Sequence, residues 1–260
     1  MTKSKDGEYE IYALKYAGPF TSSGAFIMWM REWEKTFERY YFFWCIKGEG
    51  GPIIVDCGVS PELAKQKALT GYISPVEALK KIGVDASQVP KVVVTHMHWD
   101  HYSGIQLFPN ATIYVQEREY NFWVKDPVAK RSVFQSATDN TAAAYLAQLE
   151  NSARLVLVKG DEAIMPGIEL LLSPGHTSGL QAVAIKTKKG TAILGSDCAH
   201  FFRNYTEDWP SALIVDLAAW MKTYDKLKAR VSSPDLLFPG HNPLMLTNYP
   251  KVSEEVTRLA

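Results

Sequence analysis

The chain has 260 residues, 47 % of them hydrophobic and 22 % charged, a composition that suits a folded globular protein with one large core. Lys+Arg and Asp+Glu both number 28, so the chain carries no electrostatic footprint for nucleic acid or an anionic membrane. No run approaches the roughly 20 apolar residues of a spanning helix, and the polar residues 1–7 lack the apolar centre of a signal peptide.

These bounds give one domain over residues 1–260, cytoplasmic, with a small-molecule partner and neither nucleic acid nor membrane. The cysteines, Cys45, Cys57 and Cys198, are odd in number and read as reduced thiols.

Residues 9–15 read as a first strand. Trp29, Trp33 and Phe37 recur every four residues and suggest one face of a helix. That face would either pack on its own core or serve as an aromatic wall, lid or homodimer contact. Tyr40 to Ile46 is a continuous apolar run, as in a strand buried on both faces. Pro52–Val55 is the next strand and stops at Asp56-Cys57-Gly58. Ser60-Pro61 and Ser74-Pro75-Val76-Glu77 each start a helix, the second with the form of a capping box.

Val92-Val93-Val94 is a short buried strand, and the loop after it carries Thr95-His96-Met97-His98-Trp99-Asp100-His101. The chain has only six histidines, and three of them fall within the six positions from His96 to His101. Imidazole and carboxylate together suit zinc, iron or manganese. On an extended stretch His96 and His98 point the same way and can grip one ion, while Asp100 and His101 face another.

Farther along, Ala111–Val115 is a strand, 117–124 is helical, and a helix is predicted over 140–149. Arg154–Val158, Ile168–Leu172, Gln181–Ile185 and Thr191–Leu194 are four short strands. Helical periodicity returns over 216–230 and again near 252–259. Two groups of strands, each followed by helices, suggest two sheets with helices outside them.

Three more strand ends carry a metal-binding residue type beside glycine: His176 in Pro174-Gly175-His176-Thr177, Asp197 in Gly195-Ser196-Asp197, and His241 in Pro239-Gly240-His241. Glycine allows the sharp turn that aims such a side chain into a shared site. With the first cluster they make five His and two Asp, enough for two metal ions with open positions.

The ordered set His96-x-His98-x-Asp100-His101, His176, Asp197, His241, with Asp56-x-Gly58 before it, resembles the metallo-β-lactamase superfamily. The resemblance spans about residues 9–245. It implies an α/β fold, an αβ/βα sandwich of two mixed β-sheets with helices outside and the site at one edge. It also implies that His96, His98 and His176 hold one metal, that Asp100, His101 and His241 hold the other, and that Asp197 bridges them. The metals implied are two divalent ions per chain, zinc first, with iron or manganese as alternatives.

Within the superfamily, Gly51-Pro52-Ile53-Ile54-Val55-Asp56-x-Gly58, Pro174-Gly175-His176-Thr177-x-Gly179 and the late Pro239-Gly240-His241 resemble the N-acyl homoserine lactonase group. That likeness implies a hydrolase that opens a lactone or related cyclic acyl compound by attack of a metal-bridging hydroxide, with Asp100 passing a proton to the leaving alkoxide. Those lactonases place a tyrosine three residues after the bridging aspartate. Here the position is His200, expected to contact substrate as a second catalytic residue beside Asp100, with Tyr205 as a nearby substitute.

Asp56 is read either as a partner that orients a ligand or as a turn former. Trp99 and Tyr102 line the pocket or close the core. The rival functions are hydrolysis of an amide, cyclic imide, thioester or phosphoester by the same site, and a non-hydrolytic metal-binding or iron oxygenase protein. The pocket wall decides among them, and it is expected from segments 25–37, 120–150 and 200–210.

Overall fold

The computed structural model describes residues 8–260, so the polar stretch 1–7 lies outside the described residues. The strands are β1 (Glu10–Ser23), β2 (Thr36–Lys47), β3 (Ile53–Val55), β4 (Lys91–Val93), β5 (Thr112–Gln116), β6 (Leu155–Val158), β7 (Glu162–Met165), β8 (Ile168–Leu172), β9 (Gln181–Thr187), β10 (Gly190–Ser196), β11 (Leu237–Pro239) and β12 (Val256–Arg258). They form two mixed sheets, in the orders β12-β1-β2-β3-β4-β5-β6 and β11-β10-β9-β8-β7.

Side chains alternate between the two faces of each strand, and here both faces are apolar. On β2, Phe42, Trp44 and Ile46 enter the core between the sheets, while Tyr41, Phe43 and Cys45 face outward beneath helices. On β9, Val183 and Ile185 face the first sheet, whereas Ala182 and Ala184 pack under the helix Leu217–Arg230 with Trp220, Tyr224 and Leu227. The result is helix, sheet, sheet, helix, as expected from the sequence. No helix among the described residues is long and apolar enough to cross a membrane. All three cysteines are buried and unpaired.

The parallel run β3-β4-β5-β6 positions the chemistry. Its strands end along one edge, where the loop after β4 carries the His/Asp cluster. Open α/β sheets place ligands at the carboxyl ends of their strands for this reason.

Three expectations fail. Trp29, Trp33 and Phe37 do not share a helix. A single helical turn, Gly24–Ile27, is followed by Met30 and Glu32 in left-handed backbone (φ 61° and 53°), and Phe37 already belongs to β2. Glu32 folds back so tightly that a Cβ on Gly24 would lie 2.1 Å from its carbonyl oxygen. Trp33 is left 66 % exposed. The C-terminal segment is not a helix. Val256 and Thr257 pair with Leu14 and Ala13 as edge strand β12, a non-local pairing that local periodicity does not contain. Finally, Ser74 starts the helix Pro75–Lys80 without a side-chain cap, whereas Ser60 does accept from Leu63 N at 3.2 Å. Strand β7, only four residues long and partly exposed at a sheet edge, is not predicted from the sequence.

Candidate metal centre

Four loops bring the seven candidate ligands to one place. His96 and His98 follow β4, and His98 precedes the single turn Trp99–Tyr102 that presents Asp100 and His101. His176 lies between β8 and β9, Asp197 directly follows β10, and His241 follows β11. All seven are at most 9 % exposed. Gly240 is needed for the approach, because a Cβ there would stand 2.1 Å from Asp197 Oδ1.

The nitrogen atoms converge on two points. His98 Nδ1 lies 3.1 Å from His96 Nε2 and 2.9 Å from His176 Nε2. One imidazole nitrogen has one lone pair or one proton, so it satisfies only one of two such neighbours. Three lone pairs aimed at a common point are what a metal ion requires. Asp100, His101 and His241 make a second group, with Asp100 Oδ2 3.7 Å from both His101 Nε2 and His241 Nε2.

Asp197 lies between the groups. Its Oδ2 faces His176 Nε2 at 3.4 Å and His96 Nε2 at 3.9 Å, and its Oδ1 faces His101 Nε2 at 3.4 Å. His241 Nε2 lies within 3.2 Å of both oxygens. Asp197 Oδ1 and His101 Nε2 are nevertheless buried without a hydrogen-bond partner. Buried polar atoms are rarely left this way in the absence of a ligand. The donor set therefore fits divalent metal ions.

The far side of each ring sets its tautomer. His101 Nδ1 is 2.7 Å from Asp56 Oδ2, and His241 Nδ1 is 2.9 Å from the Tyr40 carbonyl oxygen. A proton held on Nδ1 leaves the Nε2 lone pair free for a metal. Asp56 also accepts from Thr95 N (2.8 Å) and Thr95 Oγ1 (2.9 Å), and so orients both His101, a candidate ligand, and the loop that carries the His/Asp cluster.

Burial lowers the pKa of His96, His176 and His200, and takes His98 down to about 4. At His101 burial also opposes charge, but Asp197, Asp100 and Asp56 outweigh it and raise its pKa. Burial would raise Asp197, yet His241, His101 and His200 hold it well below the usual carboxylate range. The imidazoles of the first group are thus neutral and the central carboxylate is charged, the forms in which each binds metal.

A cavity of about 220 Å³ opens over this centre. Phe26, Ser136, Ala137 and His200 line it, and come from the three segments expected to supply the wall. His200 is 2 % exposed and stacks on Phe26, with ring centroids 5.4 Å apart. Its Nε2 is 3.1 Å from Asp197 Oδ2, but the alignment does not make a hydrogen bond and both ring nitrogens lack one. Trp99 is part of the wall, whereas Tyr102 is core, its hydroxyl 2.9 Å from Thr138 Oγ1. Tyr205 does not reach the cavity; it is buried and donates to the Leu237 carbonyl.

Sequence reasoning missed Arg39 and Tyr41 in the wall, and Glu119 behind the ligand loops. The available signal for Arg39 was a cation immediately before the apolar run Tyr40–Ile46 and two positions from Tyr41.

The model of the metallo-beta-lactamase superfamily matches residues 38–241. The chain belongs to that superfamily. An N-acyl homoserine lactonase from a Bacillus species is 27 % identical over 217 residues, 76 % of this chain and 80 % of that protein. The N-acyl homoserine lactonase AttM of Agrobacterium fabrum is 26 % identical over 184 residues, 69 % and 68 % of the two chains. Among solved structures, a quorum-quenching N-acyl homoserine lactone lactonase superposes with a TM-score of 0.77 at 22 % identity, covering 94 % of this chain and 96 % of the other. AidC, a dizinc quorum-quenching lactonase, gives 0.72 at 18 %, covering 93 % and 90 %. The superfamily fold, two mixed sheets with outer helices, is that of this chain.

Proposed function

We propose that the chain is a dinuclear metal-dependent hydrolase that opens a lactone or related cyclic acyl compound. The observation that carries this is Asp197, whose two oxygens face two separate histidine groups at the floor of a cavity. The similarity to N-acyl homoserine lactonases supports the choice of bond. His96 Nε2, His98 Nδ1 and His176 Nε2 would hold one ion, Asp100, His101 and His241 the other, and Asp197 both. Zinc suits this set first, with iron or manganese as alternatives. The shared inter-sheet core supports one domain over residues 1–260.

Bound divalent ions supply Lewis acidity and lower the pKa of water toward neutrality. The protein's own residues do the rest. Asp100 lines the cavity beside His101 and His241, where its carboxylate can take a proton from attacking water and deliver it to the leaving ring oxygen. His200, neutral and with unpaired ring nitrogens, donates a hydrogen bond to the acyl oxygen as charge develops there. Stacking on Phe26 fixes its ring plane. Trp99 and Leu213 exclude water from the wall.

The test is hydrolysis of a panel by metal-loaded protein with metal content measured on the same sample. The panel holds acyl homoserine lactones, simple and aromatic lactones, cyclic imides, amides, a thioester and a phosphodiester. Two metals per chain with lactone opening is the expected result. Two metals with cleavage of another bond would move the substrate class, and no hydrolysis with one metal or none would overturn the proposal.

A further inference from the structure

Three charged side chains line the cavity over the metal centre: Asp100, Asp197 and Arg39. The two carboxylates are part of the proposed ligand set. Arg39 is not, and among the described residues it has no carboxylate partner, whereas Arg31, Arg203, Arg230 and Arg258 each pair with a glutamate. A guanidinium kept beside a reaction centre without a counter-ion is available to an incoming anion.

Its position is built. Arg39 projects from β2 two residues before Tyr41, so the two side chains share a strand face. The guanidinium carbon lies 4.8 Å from the Tyr41 ring centroid, 5.5 Å from Phe26 and 5.9 Å from Phe20. Nε donates to Ser22 Oγ at 2.7 Å. Aromatic faces on three sides and one hydrogen bond to a neutral hydroxyl hold the cation in place without neutralising it. Phe26 is shared, because the ring that contacts Arg39 also stacks on His200. The cation is therefore tied to the same wall as the residue placed at the acyl oxygen. The cavity, about 220 Å³, is smaller than the roughly 300–1,000 Å³ of sites for drug-sized ligands.

We infer that the substrate is a small cyclic ester that carries its own carboxylate, and that Arg39 is the specificity-determining residue that binds it. This rests on the lactone-opening reading. The reaction adds water across the ring ester. The acyl carbon gains the hydroxyl oxygen, the C–O bond to the ring oxygen breaks, the ring oxygen leaves as a hydroxyl, and one proton goes to solvent. A lactone monoanion thus becomes a hydroxy dicarboxylate dianion, with the original carboxylate on Arg39 throughout.

The probe is 5-oxotetrahydrofuran-2-carboxylate against its methyl ester, which keeps the ring and removes the charge. Metal-loaded wild type should favour the acid by about tenfold or more in kcat/KM, chiefly through KM, since charge-assisted bidentate contacts are the strong class. Arg39→Met should bring the acid-to-ester ratio close to one, and Arg39→Lys should restore part of it. Circular dichroism checks that each variant folds. Opening of both compounds by wild type at equal kcat/KM would overturn the inference and leave the lactonase reading intact. Should neither compound be opened, binding of 2-hydroxyglutarate, followed by tryptophan fluorescence, decides the matter. Binding by wild type and at least tenfold weaker binding by Arg39→Met supports the anion site; equal affinity in the two overturns it.

Discussion

His101 Nδ1 stands 2.7 Å from Asp56 Oδ2, with both side chains at most 1 % exposed. Asp56 has left-handed backbone (φ 61°), which asparagine also tolerates, so Asp56→Asn changes the charge with little backbone strain. The variant loses the carboxylate that orients His101 and disturbs the contacts to Thr95. Outer partners of ligating histidines typically contribute 10- to 100-fold to metal affinity. Competition with a chromophoric chelator should show that loss for one ion per chain, with the other held nearly as before. Unchanged affinity for both would refute the role of Asp56.

Metal removal should weaken the fold without abolishing it. The ligands sit at the ends of strands whose apolar cores are continuous on both faces of each sheet, so the sheets do not depend on the ions. Stabilisation by a ligand bound at 100 times its Kd is about 2.7 kcal/mol. For a chain of this size that corresponds to a drop in Tm of roughly 5–10 °C on chelation. Calorimetry of the metal-loaded and chelated protein checks this. Complete unfolding on chelation would mean that the ions hold the fold itself.

His200→Ala should retain both metals, because the proposed ligand set is complete without it. Turnover should fall by roughly 10- to 1,000-fold, the range for loss of a single donor to a developing oxyanion. Metal content and kcat on the same preparation separate the two effects. A variant that loses a metal ion would instead make His200 a ligand, which its grouping with His176 and Asp197 permits geometrically.

The candidate metal centre was legible in the sequence because three histidines crowd the loop after one strand and His176, Asp197 and His241 each sit beyond a strand close to a glycine, and all seven candidate ligands come together in the structure. Strands buried on both faces, such as Tyr40–Ile46, announced themselves as unbroken apolar runs. What failed was non-local. Edge strand β12 exists only because β1 offers a partner, and the segment after Phe26 bends through Met30 and Glu32 because Glu32 closes on Gly24. Tyr205 lay close to Asp197 in sequence, yet its helix, Phe202–Thr206, turns the phenol to the Leu237 carbonyl. Spacing along a chain does not report which way a short helix faces.

Glu119 gives the last prediction. It is fully buried and carries no chemistry, but it joins the two loops of the first histidine group. One oxygen accepts from Met97 N (2.9 Å) and Trp123 Nε1 (2.7 Å); the other accepts from Thr177 Oγ1 (2.7 Å) and Gly179 N (3.0 Å). Burial raises its pKa, and those four donors pull it back. Met97 lies between His96 and His98, and Thr177 follows His176, so one carboxylate sets the separation of three proposed ligands. Gly179 permits the approach, since a Cβ there would meet Glu119 N at 2.3 Å. Removing the carboxylate strands buried donors at a cost of about 1–3 kcal/mol each, with overlap between them. Glu119→Ala should therefore lose about 3 kcal/mol or more in denaturant unfolding of the metal-free protein. It should also weaken the ion held by His96, His98 and His176 more than the other. Glu119→Gln, which keeps one acceptor oxygen, should fall between. An unfolding midpoint and a metal affinity both equal to wild type would show that the two loops hold their spacing without it.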